Sequence, residues 1–405
     1  MLKDKALQII LFYLLALAVV FYAIVRIAFP DILSGQNLLH WDAQHYYWIK
    51  NNGYKDFRVA FFPLFPLLWK ITSLGVYGIC ALNTLIFLSS FYLLMRLIKA
   101  NTLQTLLYLS IPSIFFLFLP FSESVFFASS TLLLFGLKKG NNLFVLTGLL
   151  LSSLARPAFT IFIPALILAE LLCGPINKKA LFKIGSYLFV TIAGVLIVGI
   201  IQHHYTGEWF KFFSVQKGWG NKLQIPQLPF NSWGGDTISR LDGTALFFGI
   251  ISGIVLLLYM LKAKPVKLVN IPKEVAFSLA YLAGISLSVL LFRGGVLFSL
   301  NRFVYATPFI MVAFNYYLKQ NIVFSTKVII IAFFIMLVYW LLFGSYVHIQ
   351  AFISYFLVSG YLLLTITLKT SKAMLNRVSF IALILINFIF QFVFLFKILN
   401  GDWVG

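Results

Sequence analysis

The chain has 405 residues, of which 61% are hydrophobic, 18% aromatic and only 10% charged. A soluble domain carries about a quarter charged residues, so the composition excludes a soluble globular enzyme, and the lack of long polar runs excludes a disordered chain. The net charge of +20 arises from 31 basic and 11 acidic residues, but the bases stand singly between apolar runs, which excludes a stripe tracking nucleic-acid phosphates and marks loops on one side of a membrane.

A membrane-crossing helix needs roughly 20 apolar residues. Thirteen apolar segments stand at about 6–29, 75–97, 103–119, 121–137, 143–156, 158–173, 184–202, 244–261, 275–292, 303–318, 327–344, 349–368 and 378–397. All are expected to be helices, because open strands leave backbone groups unpaired in lipid. The first run, Ala6 to Phe29, is too long for a signal-peptide core and has no small-residue cleavage pattern, so it reads as a retained span. The expectation is an all-α polytopic membrane protein with about 13 transmembrane helices, forming one domain over 1–405. Within it, residues 1–173 hold a first outer loop at 30–74, and 174–405 hold a second outer loop at 203–243.

With the N-terminus inside, 18 of the 31 bases and 3 of the 11 acids fall on the inner side, as the positive-inside rule favours. The remaining acids, Asp42 and Glu123 among them, fall outside. Segments 143–156 and 158–173 are short, and helices of that length are tolerated where they line a cavity. Cys80 and Cys173 form no CxxC pair and suggest neither a disulfide framework nor a zinc site. His203, His204 and Glu208 lack HxxxH or HExxH spacing, so neither a metal nor another cofactor is expected.

The first outer loop carries the strongest signal. It reads His40-Trp41-Asp42-Ala43-Gln44-His45-Tyr46-Tyr47-Trp48-Ile49-Lys50-Asn51-Asn52-Gly53-Tyr54. As a helix over Trp41–Lys50, it puts Asp42, His45 and Tyr46 on one face and makes an amphipathic element lying on the membrane surface. Gly53 would end it in a left-handed turn. Asp42 then faces a cavity as a candidate base; the plainer reading is a carboxylate stabilising a helix N-terminus. Pro63 and Pro66 are expected to prevent a regular helix until about Leu67.

Glu123, in Pro120-Phe121-Ser122-Glu123-Ser124, lies between two apolar segments with almost no loop. A carboxylate at that depth is a site candidate by default, or a cap of the helix beginning near Ser122. Arg156, Arg293 and Arg302 sit at segment ends. They either snorkel to the interface or together offer a basic outer pocket suited to a phosphate.

The run Trp41-Asp42-Ala43-Gln44-His45-Tyr46, then Gly53-Tyr54, Ala60-Phe61-Phe62-Pro63 and Pro66, resembles the PIG-V mannosyltransferases of glycosylphosphatidylinositol assembly and their prokaryotic relatives. Pro120-Phe121-Ser122-Glu123-Ser124 and Ser153-Leu154-Ala155-Arg156-Pro157 are similar to two further blocks of that family, and Asn301-Arg302-Phe303 to Pro308, weakly, to a late one. Eukaryotic members continue from the arginine into Asn-Gly, where Pro157-Ala158-Phe159 stands here, which leaves the acceptor open. The resemblance implies a GT-C fold and an inverting glycosyltransferase using a polyprenyl-phosphate sugar, mannose first. The acceptor would be a lipid-linked or cell-surface glycan on the outer face of a prokaryotic plasma membrane.

In that reading Asp42 is the base. Arg156, Arg302 and His45 hold the donor phosphate, and Glu123, Trp41 and Tyr46 meet sugar or acceptor. Membrane lipids are the other expected partners, and nucleic acid is not. A lipid or sugar transporter or flippase is the competing reading. It would show ionisable residues mid-span and related halves, neither of which is apparent.

Overall fold

The computed structural model describes residues 5–175, 177–262 and 271–405. Lys3, Asp4, Lys264 and Lys267, counted above on the inner side, lie outside the described residues. The chain opens with α1 (Lys5–Ala28), then α2 (Asp42–Asn52) and α3 (Leu64–Thr72) in the first loop. There follow α4 (Val76–Ile98), α5 (Thr102–Ser110), α6 (Glu123–Lys139), α7 (Asn142–Ala155), α8 (Phe159–Cys173) and α9 (Lys178–Thr206). The remainder comprises α10 (Lys211–Gly218), α11 (Gly235–Lys262), α12 (Lys273–Phe292), α13 (Leu300–Tyr305), α14 (Pro308–Lys319), α15 (Thr326–Tyr339), α16 (Ile349–Thr367) and α17 (Ala373–Leu399). No strand forms among the described residues.

Among those residues, seven helices are long and apolar enough to cross a membrane: α4, α9, α11, α12, α16, α17, and α15 with its 3-10 extension. This is the build of a polytopic membrane protein. The thirteen apolar segments are all largely helical, but several are shorter than a crossing. The expected helix at 103–119 breaks at Ile111, where Pro112 holds its predecessor extended and a 3-10 stretch (Pro112–Phe118) takes over. That stretch meets α6 at a bend of 104°. Thr307-Pro308 breaks the 303–318 segment in the same way, with Thr307 extended and Pro308 in the first turn of α14.

Two boundaries differ in the other direction. α11 starts at Gly235 rather than near 244, because counting apolar residues misses the polar first turns of a helix that rises above the hydrocarbon. Asp236, Arg240 and Asp242 are therefore helical. α3 begins at Leu64, not Leu67, since Pro66 falls in the first turn, where its missing N–H has no partner to lose.

The largest apolar core joins both halves of the chain. Phe162 of α8 packs on Phe277 of α12 at 5.3 Å and on Phe309 of α14 at 5.8 Å, while Tyr281 lies 4.1 Å from Phe309. α6 and α7 form a tight hairpin because glycines face the partner backbone. A Cβ on Gly136 would stand 2.6 Å from the Val145 amide nitrogen, and one on Gly148 2.6 Å from that of Leu133. Small residues permit this approach in membrane helices. The hairpin sets the start of α6 beside the end of α7.

Contacts sort the helix ends into two sets. At one end Lys138 Nζ donates to Leu97 O at 2.7 Å, Asn315 Nδ2 to Ile98 O at 2.9 Å, and Lys273 pairs with Glu170 at 2.5 Å. At the other, Trp41 Nε1 donates to Gly401 O at 3.0 Å, and residues 222–231 lay their amides on the ends of α12 and the turn after it. Asp42, Glu123, Arg156 and Arg302 all belong to this second end.

Candidate active site

α2 forms where expected and ends where expected. It buries Ala43, Tyr46 and Ile49 on one face and exposes Trp41, Tyr47 and Trp48. Gly53 closes it at φ +76°, ψ −168°, not in the expected left-handed helical well but in the extended positive-φ region that essentially only glycine occupies. A Cβ there would lie 2.5 Å from the Tyr205 ring. Trp41, just before the helix, has φ +58° and ψ −129°, a strained backbone of the kind that persists only where its surroundings enforce it. Its indole donates to Gly401 and packs 5.0 Å from Trp403.

Asp42 opens α2, and its side chain is 28% exposed. Its Oδ2 accepts from Arg302 Nη2 at 2.8 Å. The Arg302 Nε donates to Glu123 Oε1 at 2.6 Å, and Arg156 Nη2 donates to the same oxygen at 3.0 Å. Four charges thus alternate, Asp42, Arg302, Glu123, Arg156, drawn from α2, α13, the start of α6 and the end of α7. Charge-assisted bonds of this length are the strong ones. Glu123 is wholly buried, and its Oε2 has no partner. Ser122 gives no side-chain cap to α6; its hydroxyl instead accepts from Tyr46 at 2.9 Å, tying α2 to the start of α6.

Arg302 is 2% exposed and caged by rings. Its guanidinium lies 4.8 Å from Phe116, 5.2 Å from Phe121 and 5.4 Å from Trp403, the geometry of cation–π attraction. The residue before it, Asn301, is held from behind by Asp242. Asp242 Oδ1 accepts from the Asn301 amide at 2.8 Å and from Asn301 Nδ2 at 2.7 Å, and Oδ2 accepts from Ser232 at 2.6 Å. Ser113 Oγ donates to Asn301 Oδ1 at 2.9 Å. Neither Asp242 nor Asn301 stands out in the sequence as a positioning residue. The usable signals were an acid within reach of a long apolar run and an amide directly before Arg302.

The expected site residues separate into groups. Asp42, Arg302, Glu123 and Arg156 come together. Trp41 and Tyr46 flank them, Trp41 partly exposed and Tyr46 buried among Phe61 and Phe65. His45 stands apart from the arginine pair, wedged between Phe57 at 5.1 Å and Phe61 at 5.0 Å, with Nδ1 buried and unpartnered. Burial lowers its pKa below the ordinary 6.5; Asp42 opposes that shift and Arg58 adds to it. The basic pocket expected from Arg156, Arg293 and Arg302 is not an open one. Glu123 and Asp42 already engage two of these arginines, and Arg293 turns to Asn221 and the Phe298 carbonyl.

These features define an all-helical, polytopic membrane protein with a buried ion network at one end of its bundle. No protein-family model matches the chain, and no curated protein or solved structure matches it significantly.

Proposed function

We propose that this chain is an inverting glycosyltransferase of GT-C type, a mannosyltransferase in the first instance. It moves a sugar from a polyprenyl-phosphate donor to a lipid-linked or cell-surface glycan at the outer face of a prokaryotic plasma membrane. The observation that carries the reading is a partly exposed aspartate backed by a buried, doubly paired arginine, with a second arginine on the same network. The resemblance of the first loop and the Glu123 and Arg156 blocks to PIG-V mannosyltransferases supports the choice of sugar.

In the reaction, the acceptor hydroxyl oxygen attacks the anomeric carbon while its proton passes to Asp42. The bond from that carbon to the phosphate oxygen breaks, and its electron pair leaves with the lipid phosphate. The geometry inverts because attack and departure are on opposite faces. Arg302 and Arg156 are cations set in advance where that charge develops. The phosphate and Asp42 compete for Arg302, so arrival of the donor loosens the carboxylate as the proton comes to it. Glu123 is enclosed, so it positions the two arginines instead of meeting sugar hydroxyls, and Trp41 remains the exposed ring on which a sugar stacks.

The test is turnover in vesicles holding polyprenyl-phosphate-mannose, with lipid products read by mass spectrometry. Asp42→Asn is expected to lower the rate by about 10²–10⁴ while the Arg302–Glu123 pair, which remains, keeps the protein folded in the membrane. Full turnover by Asp42→Asn overturns the reading. Substrate movement across the vesicle with no sugar product favours the transporter.

A further inference from the structure

A second candidate site lies at the opposite end of the bundle. The last turn of α6, the C-terminal turn of α8, the second turn of α9 and the first residue of α12 enclose a cleft of about 330 Å³. Lys138, Lys139, Lys183 and Lys273 line it, with Glu170 and Tyr187 on its floor. Glu170 is 4% exposed, pairs with Lys273 at 2.5 Å and accepts from Tyr187 at 3.3 Å. Lys138 pairs with Glu274 at 3.4 Å. The two carboxylates are thereby consumed, and neither Lys139 nor Lys183 makes an ion pair among the described residues. The cleft keeps a surplus of two positive charges.

Tyr187 also borders a second hollow. Between α8 and α9, the half-buried Ile167, Ile184 and Leu188 line a shallow apolar groove too narrow to admit even a water-sized sphere. It offers an apolar surface along the helices and no interior space. The crevice runs from the cleft toward the middle of two apolar helices. A basic hollow at the ends of membrane helices, continued by an apolar strip along them, matches one kind of molecule.

We infer that this cleft binds the phosphate of an anionic phospholipid, with one acyl chain along the α8–α9 crevice. A free phosphate satisfies the lysines but leaves the strip bare, and a zwitterionic lipid brings no net charge to the surplus. The part-buried Lys273–Glu170 pair shapes the floor, while Lys139 and Lys183 hold the anion. Polar pockets of this type between helix ends are suited to acidic headgroups. The site is distant from Asp42 and does not rest on the glycosyltransferase reading.

Native mass spectrometry of the full chain in detergent tests it, with phosphatidylglycerol, phosphatidylcholine and inorganic phosphate as separate probes. Wild-type protein is expected to retain phosphatidylglycerol over phosphatidylcholine. Lys139→Gln with Lys183→Gln should lower that retention about thirtyfold, what two cations near a surface contribute, without lowering the melting temperature. Ile167→Trp, which fills the strip, should weaken phosphatidylglycerol retention and leave phosphate binding alone. Undiminished phosphatidylglycerol retention in the double lysine variant overturns the proposal. So does displacement of that lipid by inorganic phosphate with Ile167→Trp indistinguishable from wild type, which would make the cleft a site for a free anion.

Discussion

Arg302 divides one guanidinium between two carboxylates, and both halves are close. Removing one member of a buried pair leaves an uncompensated charge and costs about 3–5 kcal/mol. Glu123→Gln and Arg302→Gln are each expected to destabilise by about that much. The double variant should lose less than the sum by at least about 1 kcal/mol, because the partners share the same bond. Thermal unfolding in detergent measures all three. His45 gives a second residue-level expectation. Its folded pKa lies below 6.5, so between the two values the unfolded chain binds more protons. Stability from neutral His45 is thus present above about pH 6.5 and is lost as pH falls below it. His45→Gln should flatten the acid limb of a melting-temperature profile; an unchanged limb would assign it to other groups.

At the scale of elements, the α6–α7 hairpin decides whether Glu123 and Arg156 meet. Gly148→Ala puts a Cβ against backbone that cannot yield and should cost about 1–3 kcal/mol, with sugar transfer falling alongside. Gly185→Ala in α9, where a Cβ meets nothing within 4 Å, is the control and should stabilise by about 0.5–1 kcal/mol. Melting curves of the pair separate packing from helix propensity. Elements of this kind were partly legible beforehand. The aromatic run after Trp41 announced α2, because Gly53 and a polar–aromatic pattern define a short surface helix. Pro112 and Pro308 marked their breaks only in hindsight, since a proline inside an apolar run reads equally as a kink within one span.

For the whole molecule, charge asymmetry made the two ends legible, and singled out Asp42, Glu123, Arg156 and Arg302 as residues at one of them. Their pairing was not legible. Asp42 and Arg302 are 260 positions apart, and no local periodicity joins them. Asp242 was lost because apolar counting placed it in a loop. The orientation itself is open to measurement. In a chain without Cys80 and Cys173, Gln44→Cys should react with an impermeant thiol reagent from outside intact cells, and Lys139→Cys only after the membrane is opened. Reversed labelling would place the Asp42 end in the cytoplasm and remove the outer-face reaction. Ser232, meanwhile, belongs to the stretch leading into α11, yet its hydroxyl grips Asp242, which grips Asn301, whose neighbour steadies Asp42. That relay makes the loop before α11 part of the frame of the site: Ser232, Asp242 and Asn301 fix the backbone from which Arg302 reaches Asp42.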